Sequence, residues 1–238
     1  MNSIRRDRSG PDVRVNKLSG RPRRLPAGPW SGLLSHAFRL IDEISVHGVG
    51  DPFWTFGGGT ALMLRYQHRR SKDIDIFVPD PQCLGHVSPR LSEVAEQISS
   101  DYVEGAGFVK LIRPEGEIDF VASANLTAMP FESWSLLRRP VRVETAAEIV
   151  AKKLWHRGDT VSARDLFDLS LVIEREPDSL RSAAQFLVRH RAAFIDQLVG
   201  RSAVLRAQFG AIDVLKYRPS FDEAAARATC FLESLPSG

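Results

Sequence analysis

The sequence has little cysteine and no long apolar run. Its two cysteines, Cys83 and Cys230, lie far apart, and no CxxC pair is present, so neither a disulfide framework nor a zinc site is expected. No apolar run approaches the ~18 residues that cross a bilayer. The basic start MNSIRRDRSGP has no apolar segment behind it, so we do not expect a secretory signal. Two unpaired cysteines favour a reducing compartment, and we expect a cytoplasmic protein with no membrane partner.

The charge of the chain is unevenly distributed. The composition, 43% hydrophobic and 26% charged, is typical of a globular protein, and the net charge is +3. Residues 1–28 hold eight Arg or Lys against two Asp, so this tail carries +6 and the remaining chain about −3. The tail has too few apolar residues to fold alone. We expect a disordered basic tail, which either contacts nucleic acid or is an extension without a role, including an over-long start.

Hydrophobic periodicity predicts an α+β chain whose character changes near residue 143. Strand patterns occupy 53–56, 73–78, 102–112, 117–122 and 141–143, and helical patterns occupy 31–49, 60–70 and 88–98. Only helical patterns follow, at 145–157, 162–175, 179–198, about 201–209 and 220–234. We therefore predict three parts: a disordered tail over 1–28, an α/β domain over 29–143 with a small mixed sheet flanked by helices, and a helical C-terminal domain over 144–238.

A glycine pair and two aspartates suggest a site in the α/β part. Gly58 and Gly59 lie between a predicted strand and a predicted helix, where the backbone can approach a phosphate and the helix N-terminus favours an anion. Asp73 and Asp75 are at positions i and i+2 of a strand, so they share a face. Hard oxygen ligands suit Mg²⁺. Alone, each pattern is also typical of a tight turn or a solvated strand face.

Asp119, in the segment GEIDFVA, is a candidate third carboxylate. It lies in a predicted strand between apolar neighbours, and a carboxylate on an adjacent strand could complete a three-acid metal site. Glu117, two residues earlier, is a competing ligand. The alternative interpretation is a salt-bridged surface residue.

The order of these elements resembles the nucleotidyltransferase fold associated with DNA polymerase β. Within that superfamily, the string GGTALMLRYQHRRSKDIDIF resembles the AbiEii/AbiGii toxin family. The matching positions are Gly58, Gly59, Thr60, Leu62, Arg69, Ser71, Asp73, Ile74, Asp75 and Phe77. A second segment, EIVAKKLWHRGDTVSARDLFDLSLV, resembles the helical motif of the family. There Lys153, Arg157, Asp165 and Asp168 match, and Lys152 is one residue out of register.

The resemblance implies an enzyme and assigns roles to residues. Asp73, Asp75 and Asp119 would hold Mg²⁺, or alternatively Mn²⁺, and all three are catalytic candidates. Gly58, Gly59, Thr60, Arg69 and Ser71 would contact the phosphates of an NTP substrate. Lys153 would bind the nucleotide and neutralise charge on the leaving pyrophosphate. Asp165 would orient Lys153 or position the acceptor.

The resemblance also implies partners. It indicates the toxin of a type IV-like toxin–antitoxin system, with an RNA acceptor such as tRNA and a cognate antitoxin. RNA binding would use the basic tail or a patch of Arg65, Arg69, Arg70 and Lys72. Two alternatives stay open: a nucleotidyltransferase acting on a small molecule or a protein, and a nucleotide-binding module of the same fold without turnover.

Several of these side chains also have a purely structural interpretation. Lys152 and Lys153 could form a solvated helix face, and Asp165 could simply cap a helix after Ser162. His68 is expected to be a surface turn residue, and Trp155 is expected to pack rather than stack on a base.

Overall fold

The computed structural model of the chain describes residues 25–236. The prediction for the basic tail therefore lies almost wholly outside the described residues. The first element is helix α1, Trp30–Ile44, which continues into a π-helical turn over Ser45–Val49. Helix α1 buries an apolar face against the sheet that follows.

Seven strands form one mixed sheet. They are β1 (Thr55–Gly57), β2 (Ile74–Val78), β3 (Tyr102–Gly105), β4 (Phe108–Arg113), β5 (Gly116–Ala122), β6 (Phe131–Leu136) and β7 (Arg139–Glu144). Their order across the sheet is β3-β4-β5-β2-β1-β7-β6. Strand β2 is parallel to β5 and β1 is parallel to β7, whereas the other neighbours are antiparallel.

The helices connect and flank the sheet and then make up the C-terminal half. Early in the chain they are α2 (Gly58–Tyr66), a 3-10 segment (Pro81–Val87) and α3 (Glu93–Ile98). Later they are α4 (Ala146–Arg157), α5 (Ala163–Arg175), α6 (Pro177–Ser182), α7 (Ala184–Leu187), α8 (Arg191–Gly200), α9 (Ser202–Gly210) and α10 (Phe221–Ser234). Within residues 25–236, none of the helices combines the length and apolar character that a membrane span requires.

The fold class predicted from the sequence is confirmed: a mixed sheet with helices is followed by a helical half. The helix starts predicted after Thr145 and Ser162 are also confirmed, since each side chain accepts the amide N–H three residues on. The division into domains at residue 143 stays a prediction. One cluster of buried apolar side chains includes residues of both halves.

Several predicted boundaries were wrong. The strand predicted over 102–112 is a hairpin, because the chain turns at Ala106 and Gly107. The helix predicted from Ser88 begins at Glu93, since Ser92 caps it and Leu91 is exposed. The helix predicted over 179–198 is divided among α6, α7 and α8, and strand β6 was not predicted at all.

Alternation along the central strands separates a core face from a polar face. On β2, Ile74, Ile76 and Val78 are fully buried, whereas Asp75 and Phe77, which alternate with them, are only half-buried. Strand β5 behaves in the same way, with Ile118 and Phe120 buried. Because successive side chains point to opposite faces, the two strands present acidic residues on one face of the sheet.

Candidate active site

Strand register brings two of the predicted metal ligands side by side. Asp75 on β2 is the register partner of Asp119 on β5, and on the other side it is the partner of Gly57 on β1. Asp119 is in turn paired with Lys110 on β4. Register partners point to the same face, with Cβ atoms roughly 5 Å apart. We call Lys110, Asp119, Asp75 and Gly57 the carboxylate row.

The negative charges of the two aspartates in this row are poorly compensated by nearby cations. Burial, followed by the negative charge of Asp75, raises the pKa of Asp119 to about 6. Burial also raises the pKa of Asp75, although Lys153 opposes the shift. The Lys110 Nζ lies 3.2 Å from Asp119 Oδ2, while Asp119 Oδ1 is buried and has no hydrogen-bond partner within residues 25–236. Such an oxygen suits a cation or a donor from outside the chain.

Asp73 lies at the edge of this arrangement. It immediately precedes β2, and its Oδ1 accepts a hydrogen bond of 3.1 Å from the backbone N–H of Glu117. Glu117, the competing ligand considered above, instead pairs with Lys110. Among the residues described, no three His, Cys, Asp or Glu side chains are already spaced to hold a metal ion. The preformed part of the site is therefore the pair Asp75 and Asp119.

The glycine pair places the N-terminus of α2 directly over Asp75. Gly58 has a positive φ of 69°, and a Cβ at this position would lie 1.8 Å from Asp75 Oδ2. A Cβ at Gly59 would lie 2.7 Å from Arg69 Nη2 and 3.0 Å from Ser71 Oγ. Glycine is therefore required at Gly58 both by its backbone conformation and by this close approach.

Thr60 holds the backbone segment that carries Asp73 in place. Its side chain is fully buried, and its hydroxyl donates to the backbone carbonyl of Asp73 at 2.6 Å and contacts Ser71 Oγ at 3.0 Å. The hydroxyl therefore fixes the segment that carries Asp73. Of the predicted nucleotide-binding residues, Thr60 alone does not line the cleft.

Across the cleft, α4 and α5 carry a second set of charges. Lys153 Nζ lies 2.9 Å from Asp165 Oδ1 and 2.5 Å from Asp168 Oδ2. Arg69 donates to both oxygens of Asp168, at 2.7 and 2.8 Å, and His68 Nε2 is 2.9 Å from Oδ1. We call Lys153, Asp165, Asp168, Arg69 and His68 the ion cluster.

In the ion cluster, nearby cations compensate the negative charges of both aspartates. Burial alone would raise the pKa of Asp168, but Arg69 and Lys153 hold it well below the ordinary range. The pKa of Asp165 is also lowered: Lys153 and Arg157 outweigh its burial. The prediction of a surface turn residue at His68 was wrong, since its side chain is fully buried. Sequence alone gave no signal for this contact, because His68 and Asp168 are 100 positions apart.

Glu144 and Lys152 were not predicted as site residues. Glu144 ends β7 and is fully buried, and its Oε1 accepts from Thr55 at 2.8 Å and from Lys152 Nζ at 2.6 Å. Burial raises the pKa of Glu144 to about 7, although Lys152 opposes the shift. A Cβ at Gly57 would lie 2.1 Å from Glu144 Oε2, so this carboxylate borders the carboxylate row.

Most of these groups border one cleft of about 990 Å³, whereas Gly57, Thr60, His68 and Asp168 do not line it. The predicted residues that line it are Gly58, Gly59, Arg69, Ser71, Asp73, Asp75, Asp119, Lys153 and Asp165. The basic patch expected from the sequence is not one surface: Arg65 pairs with Glu132, Arg69 is buried, and Arg70 pairs with Asp213. Trp155 packs against Phe186 and Arg189.

A mixed sheet that presents paired aspartates beside a glycine-led helix N-terminus is the arrangement of a nucleotidyltransferase. The nucleotidyltransferase toxin MenT4 of Mycobacterium tuberculosis shares this fold, with a TM-score of 0.50 and 20% identity over 88% of this chain and 85% of that one. JHP933 of Helicobacter pylori is 16% identical over 85% of this chain and 90% of its own, with a TM-score of 0.46. No match is found among curated protein sequences.

The family is established by a match over most of the chain. The family model described as "Nucleotidyl transferase AbiEii toxin, Type IV TA system" matches residues 39–228. The chain therefore belongs to the AbiEii nucleotidyltransferase toxin family and is a nucleotidyltransferase. Membership of a type IV toxin–antitoxin family implies an NTP substrate and an antitoxin partner.

Proposed function

We propose that this protein transfers a nucleoside monophosphate from an NTP to a hydroxyl of RNA, with tRNA as the first candidate, in a reaction that depends on Mg²⁺ or Mn²⁺. The acceptor oxygen forms a bond to the α-phosphorus, and the bond from that phosphorus to the bridging oxygen breaks. Pyrophosphate leaves, and the hydroxyl proton passes to solvent. The protein acts in the cytoplasm, and a cognate antitoxin restrains it.

The observation that carries the proposal is the pairing of Asp75 with Asp119. The two carboxylates are adjacent in register, both have raised pKa values, and Asp119 Oδ1 lacks a partner in the described chain. These residues fit a divalent cation, with Asp73 as the third ligand. When bound, the cation would supply Lewis-acid activation of the phosphate and of the attacking hydroxyl.

The groups around the pair suit a triphosphate. Gly58 and Gly59 open α2, whose N-terminal N–H groups favour an anion, and Ser71 lies beside them. Lys153 is close enough to affect the pKa of Asp75, and it offers a positive charge to the leaving pyrophosphate. Asp165 orients the Lys153 ammonium. A phosphate contact by Arg69 stays a prediction, since two of its nitrogens donate to Asp168.

An RNA acceptor is supported by exposed cations in the cleft, Arg157 and Arg164, and next to it, Lys72. The side chain of Arg157 is 54% exposed, and both Arg164 and Lys72 are exposed. Arg157 and Arg164 line the cleft itself. Exposed cations at this position can contact phosphates of a nucleic acid, with an affinity that falls as salt increases.

The test is transfer of label from each α-labelled NTP in turn to total RNA, with Mg²⁺, with Mn²⁺ and with a chelator. We expect labelled RNA with at least one NTP, no labelling with the chelator, and a loss of roughly 100- to 1,000-fold in Asp75→Asn. Asp101→Asn, at an exposed aspartate outside the cleft, is the matched control and should keep full activity.

Three results would contradict the proposal. Labelling that persists both with the chelator and in the Asp75→Asn variant would rule out the proposed metal site. Label in protein, or in a small molecule but not in RNA, would show that RNA is not the acceptor. Metal-dependent NTP binding without pyrophosphate release would indicate a binding module without turnover.

A further inference from the structure

The face of the sheet that carries the carboxylate row also carries an apolar row. In the next row on this face, Phe77 on β2 is the register partner of Val121 on β5 and of Thr55 on β1, and Val121 is paired with Phe108 on β4. Because residues i and i+2 share a face, both rows face the same side. We call Phe108, Val121, Phe77 and Thr55 the apolar row.

The two ends of the cleft therefore differ in chemistry. At the apolar row the cleft is lined by Phe77 and Val121, and next to them by Ala122 and Ile149. Ser123 continues β5 at this end, and its hydroxyl lies 3.4 Å from Nε2 of His156 on α4. Arg69 and Arg70 precede β2, so they lie on the side of the carboxylate row away from Phe77, and the lining also includes Arg157, Arg164, Asp165 and Asp213.

The Phe77 ring is positioned as a stacking surface. It is half-buried and lines the cleft. Lys152 Nζ lies 4.0 Å from the ring centroid and therefore covers one face of the ring. Lys152 is itself held by Glu144 at 2.6 Å, so the ring is fixed from that side. A planar ligand would have to use the opposite face.

Glu144 adds an unsatisfied acceptor at the border of the two rows. Its side chain is fully buried, and Oε2 has no hydrogen-bond partner in the part of the chain that the structure describes. A Cβ built at Gly57 would lie 2.1 Å from this oxygen and 2.7 Å from the Phe77 ring, so the carboxylate and the ring both lie beside Gly57. A buried carboxylate oxygen without a donor is rare in proteins.

We propose that the apolar end of the cleft is the nucleobase subsite, where the base of the NTP stacks on Phe77 and turns its polar edge towards Ser123 and His156. A nucleobase has flat apolar faces and a hydrogen-bonding edge, and it matches a pocket of this composition. The proposal rests on the function proposed above, which places the phosphates at the carboxylate row. Two residues of strand span roughly 7 Å, a separation that the ribose bridges.

The test is equilibrium binding, in Mg²⁺ and without acceptor, of each NTP and of inorganic tripolyphosphate to the full chain. Phe77→Leu keeps the volume and apolar character but removes the aromatic face. We expect it to weaken the tightest NTP by roughly 5- to 100-fold and to leave tripolyphosphate binding unchanged. Phe77→Tyr keeps the face and should bind like the wild type.

Phe108→Leu is the matched control, because Phe108 is in the same row but does not line the cleft. It should leave both affinities unchanged. Equal weakening of NTP and tripolyphosphate in Phe77→Leu, or no weakening of either, would overturn the subsite while leaving the proposed function intact. A wild type that binds neither ligand would overturn the proposed function itself, and with it the subsite.

Discussion

Two pairs of aspartates lie at the cleft, where Asp75, Asp119 and Asp165 line it and Asp168 is buried behind Asp165, and their surroundings are opposite. Asp75 and Asp119, on the sheet, have raised pKa values because burial outweighs the nearby positive charges. Asp165 and Asp168, on α5, have lowered pKa values because cations outweigh burial. The residue type is the same in both pairs, and the difference is the number of cations that the chain itself provides.

This difference separates two roles. A buried carboxylate is costly unless a cation accompanies it. The α5 pair receives its cations from Arg69, Lys153 and Arg157, so it joins the two halves of the chain and orients Lys153. The sheet pair has only Lys110 beside it in register. We infer that the cation of the sheet pair comes from outside the chain.

The largest effect is expected when the α5 pair is broken. Asp168→Asn leaves the buried guanidinium of Arg69 without its counter-charge, and such a loss costs roughly 3–5 kcal/mol. The measurement is urea unfolding at pH 7. Asp178→Asn removes an exposed partner of Arg181 and should cost less than about 1 kcal/mol. Equal effects of the two substitutions would show that the buried ion pairs of Asp168 contribute no more to stability than an exposed pair.

Neutralising an aspartate of the sheet pair should have the opposite effect and stabilise the chain. The folded-state pKa of Asp119 is about 6, above its ordinary 3.8. The folded chain therefore binds this proton more tightly, and wild-type stability falls as pH rises between those values. Asp119→Asn removes the penalty, so in chelator at pH 8 it should gain up to about 3 kcal/mol. The gain should shrink towards pH 4 in urea unfolding, and a destabilised variant at pH 8 would show that the Asp119 charge is not a cost to the folded state.

A smaller effect tests how the sheet pair is supported. Thr60→Val removes the hydroxyl that donates to the Asp73 carbonyl at 2.6 Å. Leaving that partly buried acceptor unsatisfied should cost roughly 1–3 kcal/mol, again in urea unfolding. Thr60→Ser keeps the hydroxyl and should recover most of the loss. If Val and Ser variants are equally stable, the hydroxyl does not hold the Asp73 segment.

The smallest effect is expected at Arg70, the neighbour of Arg69. Its ion pair with Asp213 is exposed on both sides, at 62% and 67%. Arg70→Gln should therefore change the free energy of unfolding by less than about 1 kcal/mol, whereas Arg69→Gln should unfold the chain at much lower urea. A loss in Arg70→Gln as large as that in Arg69→Gln would show that burial does not separate these two arginines.

The sequence was informative where function depends on local order. Gly58, Asp73 and Asp75 lie within one short stretch, and their spacing predicted a helix between the glycine pair and a strand. The alternation of DIDIFV predicted which residues share a face, and β2 has this alternation. The roles of the predicted site residues stay proposals.

The sequence was uninformative where function depends on distant contacts. The pairing of Asp75 with Asp119 is a matter of register between strands that are 44 residues apart, and nothing local fixes it. Lys152 was set aside as out of register with the family motif, yet it holds Glu144 and covers Phe77. Strand β6 alternates weakly, since FESWSL buries only Trp134 and Leu136, so periodicity did not reveal it.

The most direct test of whether the sheet pair takes a cation from outside the chain is the effect of a divalent cation on the free energy of unfolding. Wild type and Asp119→Asn are unfolded in urea, each with chelator and with Mg²⁺ well above its dissociation constant. We expect Mg²⁺ to stabilise the wild type, by about 2.7 kcal/mol at 100 times that constant, and to leave Asp119→Asn almost unchanged. Equal stabilisation of the two proteins, or none of the wild type, would contradict the inference that the sheet pair takes its cation from outside the chain.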